Sequence, residues 1–302
     1  MLTITARGGS SISIRKNELP VEQRIAAARL LALSEFDLAR PALLAVLTPQ
    51  SPAELQHVAL QSLVGHADEG VATAVIERWP VLSPSLRREV QEALLARSDR
   101  TLALLTALEQ GKIKTAEIDP ARIQQLRKHA RADVRKRAEA VFGSTVASSR
   151  GAILKQYQSA LGLQGDTEQG RLVFQAQCAS CHKLQGTGQD VGANLLATLP
   201  GKSPEDILVA ILDPNREVDT RYLNYQAVLS DGRTLTGVVI AETAAGITLR
   251  RADGVEDRIR RDDLESLRST GQSLMPEGLE LQINEQQMAN LIAFLREAVK
   301  SK

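Results

Sequence analysis

The stretch Asp166-Thr167-Glu168-Gln169-Gly170-Arg171-Leu172-Val173-Phe174-Gln175-Ala176-Gln177-Cys178-Ala179-Ser180-Cys181-His182 decides the reading of this 302-residue chain. It closes on two cysteines three positions apart, with a histidine directly after the second. On a helical turn, thiols at that spacing reach the two vinyl groups of one porphyrin, and the adjoining imidazole is then held against the iron. The residues before the motif begin with cap types and set their apolar side chains at helical rather than alternating intervals. That favours a helix over the buried strand that would precede a thioredoxin-like Cys-x-x-Cys pair. A Cys₂His metal site and a structural thiol pair are the other readings of the same residues. The chain has two cysteines, both in this motif, which excludes a disulfide framework and a four-thiolate zinc site by arithmetic. One covalently attached haem c is expected, tied through Cys178 and Cys181, with His182 as an axial ligand.

The 37 basic and 36 acidic residues leave a net charge of +1. No global electrostatic argument for nucleic acid or an anionic membrane survives that balance, and no nucleic-acid partner is expected. Apolar runs such as Ile207 to Leu212 are far too short to cross a bilayer, so no membrane span is expected. The opening Met1-Leu2-Thr3-Ile4-Thr5-Ala6-Arg7-Gly8-Gly9 lacks the apolar core and small-residue cleavage site of a secretory leader. Thioether attachment is generally made outside the cytoplasm. The expectation is therefore a periplasmic or otherwise exported protein, whose sequence here is a segment of a longer chain or carries a misassigned start.

Before residue 150 the sequence repeats. Pro20, Pro52 and Pro84 each open an amphipathic helix at a spacing of 32 residues, and a fourth unit begins at Pro120. Each helix is followed by polar or small residues and a second apolar helix, such as Arg40 to Leu47 or Val71 to Trp79. Helix pairs at this period bury their faces only by stacking on neighbours. Residues 1–150 thus resemble HEAT repeats forming an α-solenoid, a scaffold able to contact other proteins. His57, His66 and His129 read as surface or packing side chains, because no cysteine or carboxylate cluster accompanies them. The basic helix from Arg122 to Arg137 reads as a solvated face. Gly143 to Gly151 reads as the linker to a second domain, residues 151–302.

In that domain a glycine-rich loop, Gly186 to Leu195, follows the cysteine motif. Ser203-Pro204-Glu205-Asp206 starts a short helix that Asp213-Pro214 ends. The period then changes to two, with Asp231-Gly232 and Asp253-Gly254 as hairpin turns, so a small antiparallel sheet is inserted at about residues 222–268. A last helix, capped by Asn284 with Gln287 three residues on, buries Met288, Leu291, Ile292 and Leu295. An electron-transfer haem needs a second axial ligand, and methionine raises its potential relative to histidine. Met1 is terminal and Met288 falls in a core stripe. Met275 sits in the loop Gly271 to Gly278, where no packing stripe claims it and Pro276 stiffens the backbone, and it is the chosen ligand.

Gly170 and Phe174, with Leu291 and Phe294, are similar to the first-and-last-helix contact of class I cytochromes c. The stretch from Gly165 to Lys300 resembles the planctomycete/verrucomicrobial-type haem-binding domain more closely still. The shared elements are the cysteine motif, Gly192-Ala193-Asn194-Leu195, Ser203 to Leu208, Leu212-Asp213-Pro214-Asn215, Asp231-Gly232 and Ser273 to Leu279. Ala193 departs from the proline common after that glycine. The resemblance implies a class I-like cytochrome c helical domain with His182 and Met275 as axial ligands of the iron. The expected fold is mainly α: a HEAT-like solenoid, then the haem domain with its β insertion. The expected function is single-electron transfer by a monohaem module of a larger exported redox protein, with no bond-making chemistry of its own and a redox protein, such as a dehydrogenase, as partner. The alternatives are the electron-accepting domain of a sugar or alcohol dehydrogenase and a haem-containing protein-binding scaffold. No Gly-x-Gly-x-x-Gly fingerprint follows a strand to supply a dinucleotide cofactor.

Overall fold

The computed structural model describes residues 4–5, 11–12, 19–143 and 150–300. The linker assigned to Gly143–Gly151 falls largely outside the described residues, as does most of the opening segment. A two-residue ladder pairs β1 (Ile4–Thr5) with β2 (Ser11–Ile12). Eight helices follow in four pairs: α1 (Val21–Leu31) with α2 (Phe36–Ala45), α3 (Ala53–Gly65) with α4 (Gly70–Arg78), α5 (Pro84–Leu95) with α6 (Ser98–Glu109), and α7 (Pro120–Arg127) with α8 (Ala132–Gly143).

The four repeat prolines all stand at helix entries. Pro20 and Pro52 are N-cap residues, while Pro84 and Pro120 occupy the first helical turn, where a missing N–H costs nothing. First helices lie on first helices (α1 on α3, α3 on α5), and second on second (α2 on α4, α4 on α6, α6 on α8). The pairs share one core, running from Ile25 through Leu55, Val75 and Leu104 to Phe142. The basic helix faces are neutralised locally: Arg122 pairs with Glu92, Arg131 with Asp133 and Arg137 with Glu109.

A second core gathers α9 (Gly151–Tyr157), α10 (Thr167–Gln177), α12 (Pro204–Leu212) and α13 (Glu285–Lys300), with the short α11 (Leu195–Thr198) at its edge. The caps read from the sequence form. Asp166 accepts from the N–H groups of Glu168 and Gln169, Ser203 and Asp206 make a capping box, and Asn284 and Gln287 exchange hydrogen bonds. Helices α10 and α13 cross in close contact. A Cβ on Gly170 would lie 2.0 Å from Asn290 O, and one on Gly165 would lie 2.5 Å from Ala289 O. Phe174 packs on Phe294 beside the crossing, with ring centroids 5.7 Å apart.

The sheet has five antiparallel strands in the order β6-β5-β4-β3-β7: β3 (Leu223–Leu229), β4 (Thr234–Glu242), β5 (Gly246–Arg250), β6 (Glu256–Arg260) and β7 (Leu264–Ser273). It is longer than the span of about 222–268 read from the sequence, and the loop placed at Gly271–Gly278 begins only after Ser273. Strand β7 hides from a period-two reading because register shifts against β3 break its alternation. One face of the sheet forms a third core around Leu223, Tyr225, Leu249 and Leu267.

That sheet joins the two helical regions. Gln50 Nε2 donates to Leu264 O (2.9 Å) and Glu265 O (2.6 Å), Ser85 donates through N–H and Oγ to Glu242, and Lys114 Nζ donates to Thr270 O (2.6 Å). At the centre Arg87 and Glu117 form a buried ion pair, with the guanidinium 5.1 Å from the Trp79 ring and 5.5 Å from the Tyr225 ring. Trp79 Nε1 donates to the same carboxylate.

Substituting Gly170→Ala should force α10 away from α13 and cost about 3 kcal/mol, the upper range for overpacking a close contact. Thermal denaturation checks this, and an unchanged midpoint would refute the close-crossing argument.

Candidate functional site

Helix α10 delivers the cysteine motif. Its last carbonyl bonds run into a further turn, Cys178 N–H to Phe174 O (2.8 Å) and His182 N–H to Cys178 O (2.8 Å), so both thiols and the imidazole sit on one coiled segment. The following loop folds back over that turn. The N–H groups of Val191 and Gly192 donate to Cys181 O at 3.0 and 2.7 Å, and that of Gln189 donates to Ala179 O at 3.0 Å. Gly188 has φ +94°, and a Cβ there would lie 2.1 Å from His182 O.

His182 Nδ1 lies 2.9 Å from Ala193 O. A carbonyl only accepts, so Nδ1 carries the proton and Nε2 the lone pair. Gly192 makes the room: a Cβ on it would lie 2.6 Å from His182 Cε1 and 2.9 Å from Nε2. Burial pushes the imidazole below its usual pKa, opposed only in part by the bond to Ala193, which favours a neutral ring with an available lone pair. The missing proline at Ala193 leaves this bond intact, because the acceptor is a backbone atom. Burial, reinforced by the neighbouring Cys181, raises the Cys178 thiol to about 12.

The motif opens onto a cleft of about 340 Å³. Cys178, Cys181, His182 and Met275 all line it, together with apolar side chains that include Leu195, Leu199 and Leu279. Met275 arrives from the far side of the sequence, two residues beyond the end of β7. Its N–H donates to Ser273 Oγ (3.1 Å), and the preceding Leu274 N–H donates to Tyr222 O (3.0 Å), continuing the β3–β7 pairing toward the cleft. Met288 is fully buried in the α13 core. Tyr222 lines the same cleft, whereas Arg216 lines a separate depression beside α7.

The sheet also touches the motif. Arg250 Nη1 donates to Asp190 O (2.9 Å), and the Cys181 thiol lies 3.6 Å from Ala252 O in the β5–β6 turn. His57 pairs with Glu89 and Gln61, and His66 stacks edge-on against Phe36, so both side chains have structural partners. The residues that sequence reasoning passed over are Asn215, Ser273 and Glu277, which brace the Met275 loop. All three lay inside motifs noted for their resemblance, Asn215 in one and Ser273 and Glu277 in another, with no signal that the two motifs meet.

Residues 167–298 match the cytochrome c family. A cytochrome c-553-like protein of Synechocystis sp. is 32% identical over 79 residues, covering 23% of this chain and 74% of that relative. The chain belongs to the cytochrome c family. As a cytochrome c it is a haem-binding electron carrier, with haem c attached covalently. The matched span runs from the start of α10 to within two residues of the end of α13, so it takes in the cysteine motif, the sheet and the Met275 loop. Among the described residues of this cytochrome, no helix is long and apolar enough to cross a membrane. The donor set suits the cofactor: two thiols on one turn, a neutral imidazole and a thioether on one largely apolar cleft.

Two outcomes test the site of this cytochrome. Gly192→Ala should crowd His182 off its bond to Ala193, lowering the yield of covalently loaded protein and mixing high-spin character into the visible and electron paramagnetic spectra. A purely low-spin spectrum at parental yield would contradict that. In the folded haem-free chain at pH 8, iodoacetamide should label Cys178 at least about tenfold more slowly than in urea, because the thiolate is the reactive form. Equal rates, read by mass spectrometry, would contradict the buried environment.

Proposed function

We propose that this chain is a monohaem c-type cytochrome module that passes single electrons, with one haem bound through Cys178 and Cys181 and with His182 and Met275 as its axial ligands. The observation that carries the reading is the convergence of all four side chains on one cleft although Met275 lies far along the sequence from the others. When bound, the haem supplies a one-electron couple at its iron. The chain's residues do the rest. Cys178 and Cys181 would hold the haem as thioethers, each by addition of its S–H across a vinyl group, which needs no oxidant. Ala193 O holds the His182 ring by its Nδ1 proton, so that Nε2 is presented as the donor. Met275 offers a soft thioether, which favours the reduced state relative to a second imidazole.

With His182 and Met275 both holding the iron, no open position would remain for peroxide or another substrate, and the module would transfer electrons rather than make bonds. A redox protein is the natural partner, a dehydrogenase being one such donor. The helical pairs before residue 150, HEAT-like in their stacking, fit a scaffold that could present the haem region to it. Covalent haem attachment supports an exported, periplasmic setting.

The test is Met275→Ala in protein matured by a haem-attachment system. The variant should keep the pyridine haemochrome spectrum of a c-type haem, lose the sulfur-to-iron charge-transfer band of the oxidised protein, and show a lower reduction potential. An unchanged band would rule out Met275.

A further inference from the structure

The loop that carries Met275 is closed by one side chain from elsewhere. Helix α12 stops at Asp213-Pro214, where the chain makes a turn through the bond from Arg216 N–H to Asp213 O (3.0 Å). Leu212, Asp213 and Pro214 are buried, so the next residue, Asn215, leaves from a fixed point. Its amide spans the loop. Asn215 Oδ1 accepts from Ser273 N–H at 2.8 Å, and Asn215 Nδ2 donates to Glu277 Oε1 at 2.6 Å. The contacts are two residues before and two residues after Met275. A backbone N–H only donates and a carboxylate only accepts, so the partners fix the orientation of the amide.

Resting on the reading of Met275 as an axial ligand, we propose that Asn215 is a positioning residue that latches the methionine loop against the cleft. A neutral thioether is a weak ligand, and it is held against competitors only if the loop has little freedom to swing out. A clamp at both ends of a five-residue segment removes that freedom before the bond forms, which is the gain of preorganisation. Other hydrogen bonds act from one side only: Leu274 N–H to Tyr222 O precedes Met275, and Leu281 N–H to Gly278 O (3.1 Å) follows Glu277. Asn215 alone bridges the two sides among the hydrogen bonds of the described residues.

A residue that merely stabilised the fold would change the melting temperature and leave ligand exchange in the folded protein untouched. The latch makes a different claim. In haem-loaded protein, Asn215→Ala should bind added imidazole roughly tenfold more tightly than the parent, the effect of losing about one net hydrogen bond on the methionine-bound side. The sulfur-to-iron band should weaken in parallel. Asn215→Asp keeps an acceptor for Ser273 N–H but sets two carboxylates face to face, so it should loosen the loop at least as much. Adding Glu277→Gln to Asn215→Asp supplies an amide donor to the new carboxylate and closes the bridge with reversed polarity. The double variant should return imidazole affinity to within about twofold of the parent.

If the parent band is abolished by Met275→Ala but neither it nor imidazole affinity responds to Asn215→Ala, the latch is wrong and the ligand reading stands. If Asn215→Ala fails to fold, the comparison of Asn215→Asp with and without Glu277→Gln decides: equal imidazole affinities would overturn the latch. A parent protein with no sulfur-to-iron band overturns the ligand reading itself, and the latch with it.

Discussion

The contact on which the site depends is the crossing of α10 on α13, where Gly170 brings one helix axis against the carbonyl of Asn290 on the other. That crossing ties the helix that carries the cysteines to the last helix of the chain. Everything between them must then arch out and return within the same short distance. The cysteine turn, the loop over it, the sheet and the Met275 loop are therefore folded around one cleft. A side chain at Gly170 would relax that arch, and the two halves of the proposed ligand set would no longer be held to a common spacing.

The sheet acts as a bracket between the regions it separates in sequence. On one side it bonds to the helical pairs through Gln50, Ser85 and Lys114, with the buried Arg87–Glu117 pair under Tyr225. On the other, its β5–β6 turn meets the cysteine loop, and β7 ends at the threshold of Met275. An ion pair so buried contributes little net stability against an apolar replacement, but removing one partner would strand a charge. Its place at the junction makes it a device for fixing how the sheet sits on the helices. The methionine arm is thus mounted on a strand that the helical pairs support, which links their packing to the geometry of the cleft.

Much of this was legible in the residues. The proline spacing located the helix pairs, because a proline at a helix entry carries a local backbone constraint. Asp166, Ser203 and Asn284 announced their caps for the same reason. Gly170 and Phe174, with Leu291 and Phe294, were read as a crossing from their similarity to the first-and-last-helix contact of class I cytochromes c. Strand β7 was missed in the sequence reading, which found no strand beyond Ile259, because register shifts against β3 break the alternation on which such a reading rests. Asn215, Ser273 and Glu277 could not be joined by any local pattern: their contact depends on where α12 ends relative to β7, which is a tertiary fact. The role of Gly192 emerged only when His182 was found against it.

The most direct test of the central claim is a proton–carbon NMR spectrum of the reduced haem-loaded protein with its methionine methyls labelled. The chain has three methionines. The account predicts one methyl signal displaced far upfield by the porphyrin ring current, lost in Met275→Ala, with the other two at ordinary positions. Three ordinary methyl signals, or an upfield signal that survives that substitution, would contradict the convergence of the His182 turn and the Met275 arm on one iron.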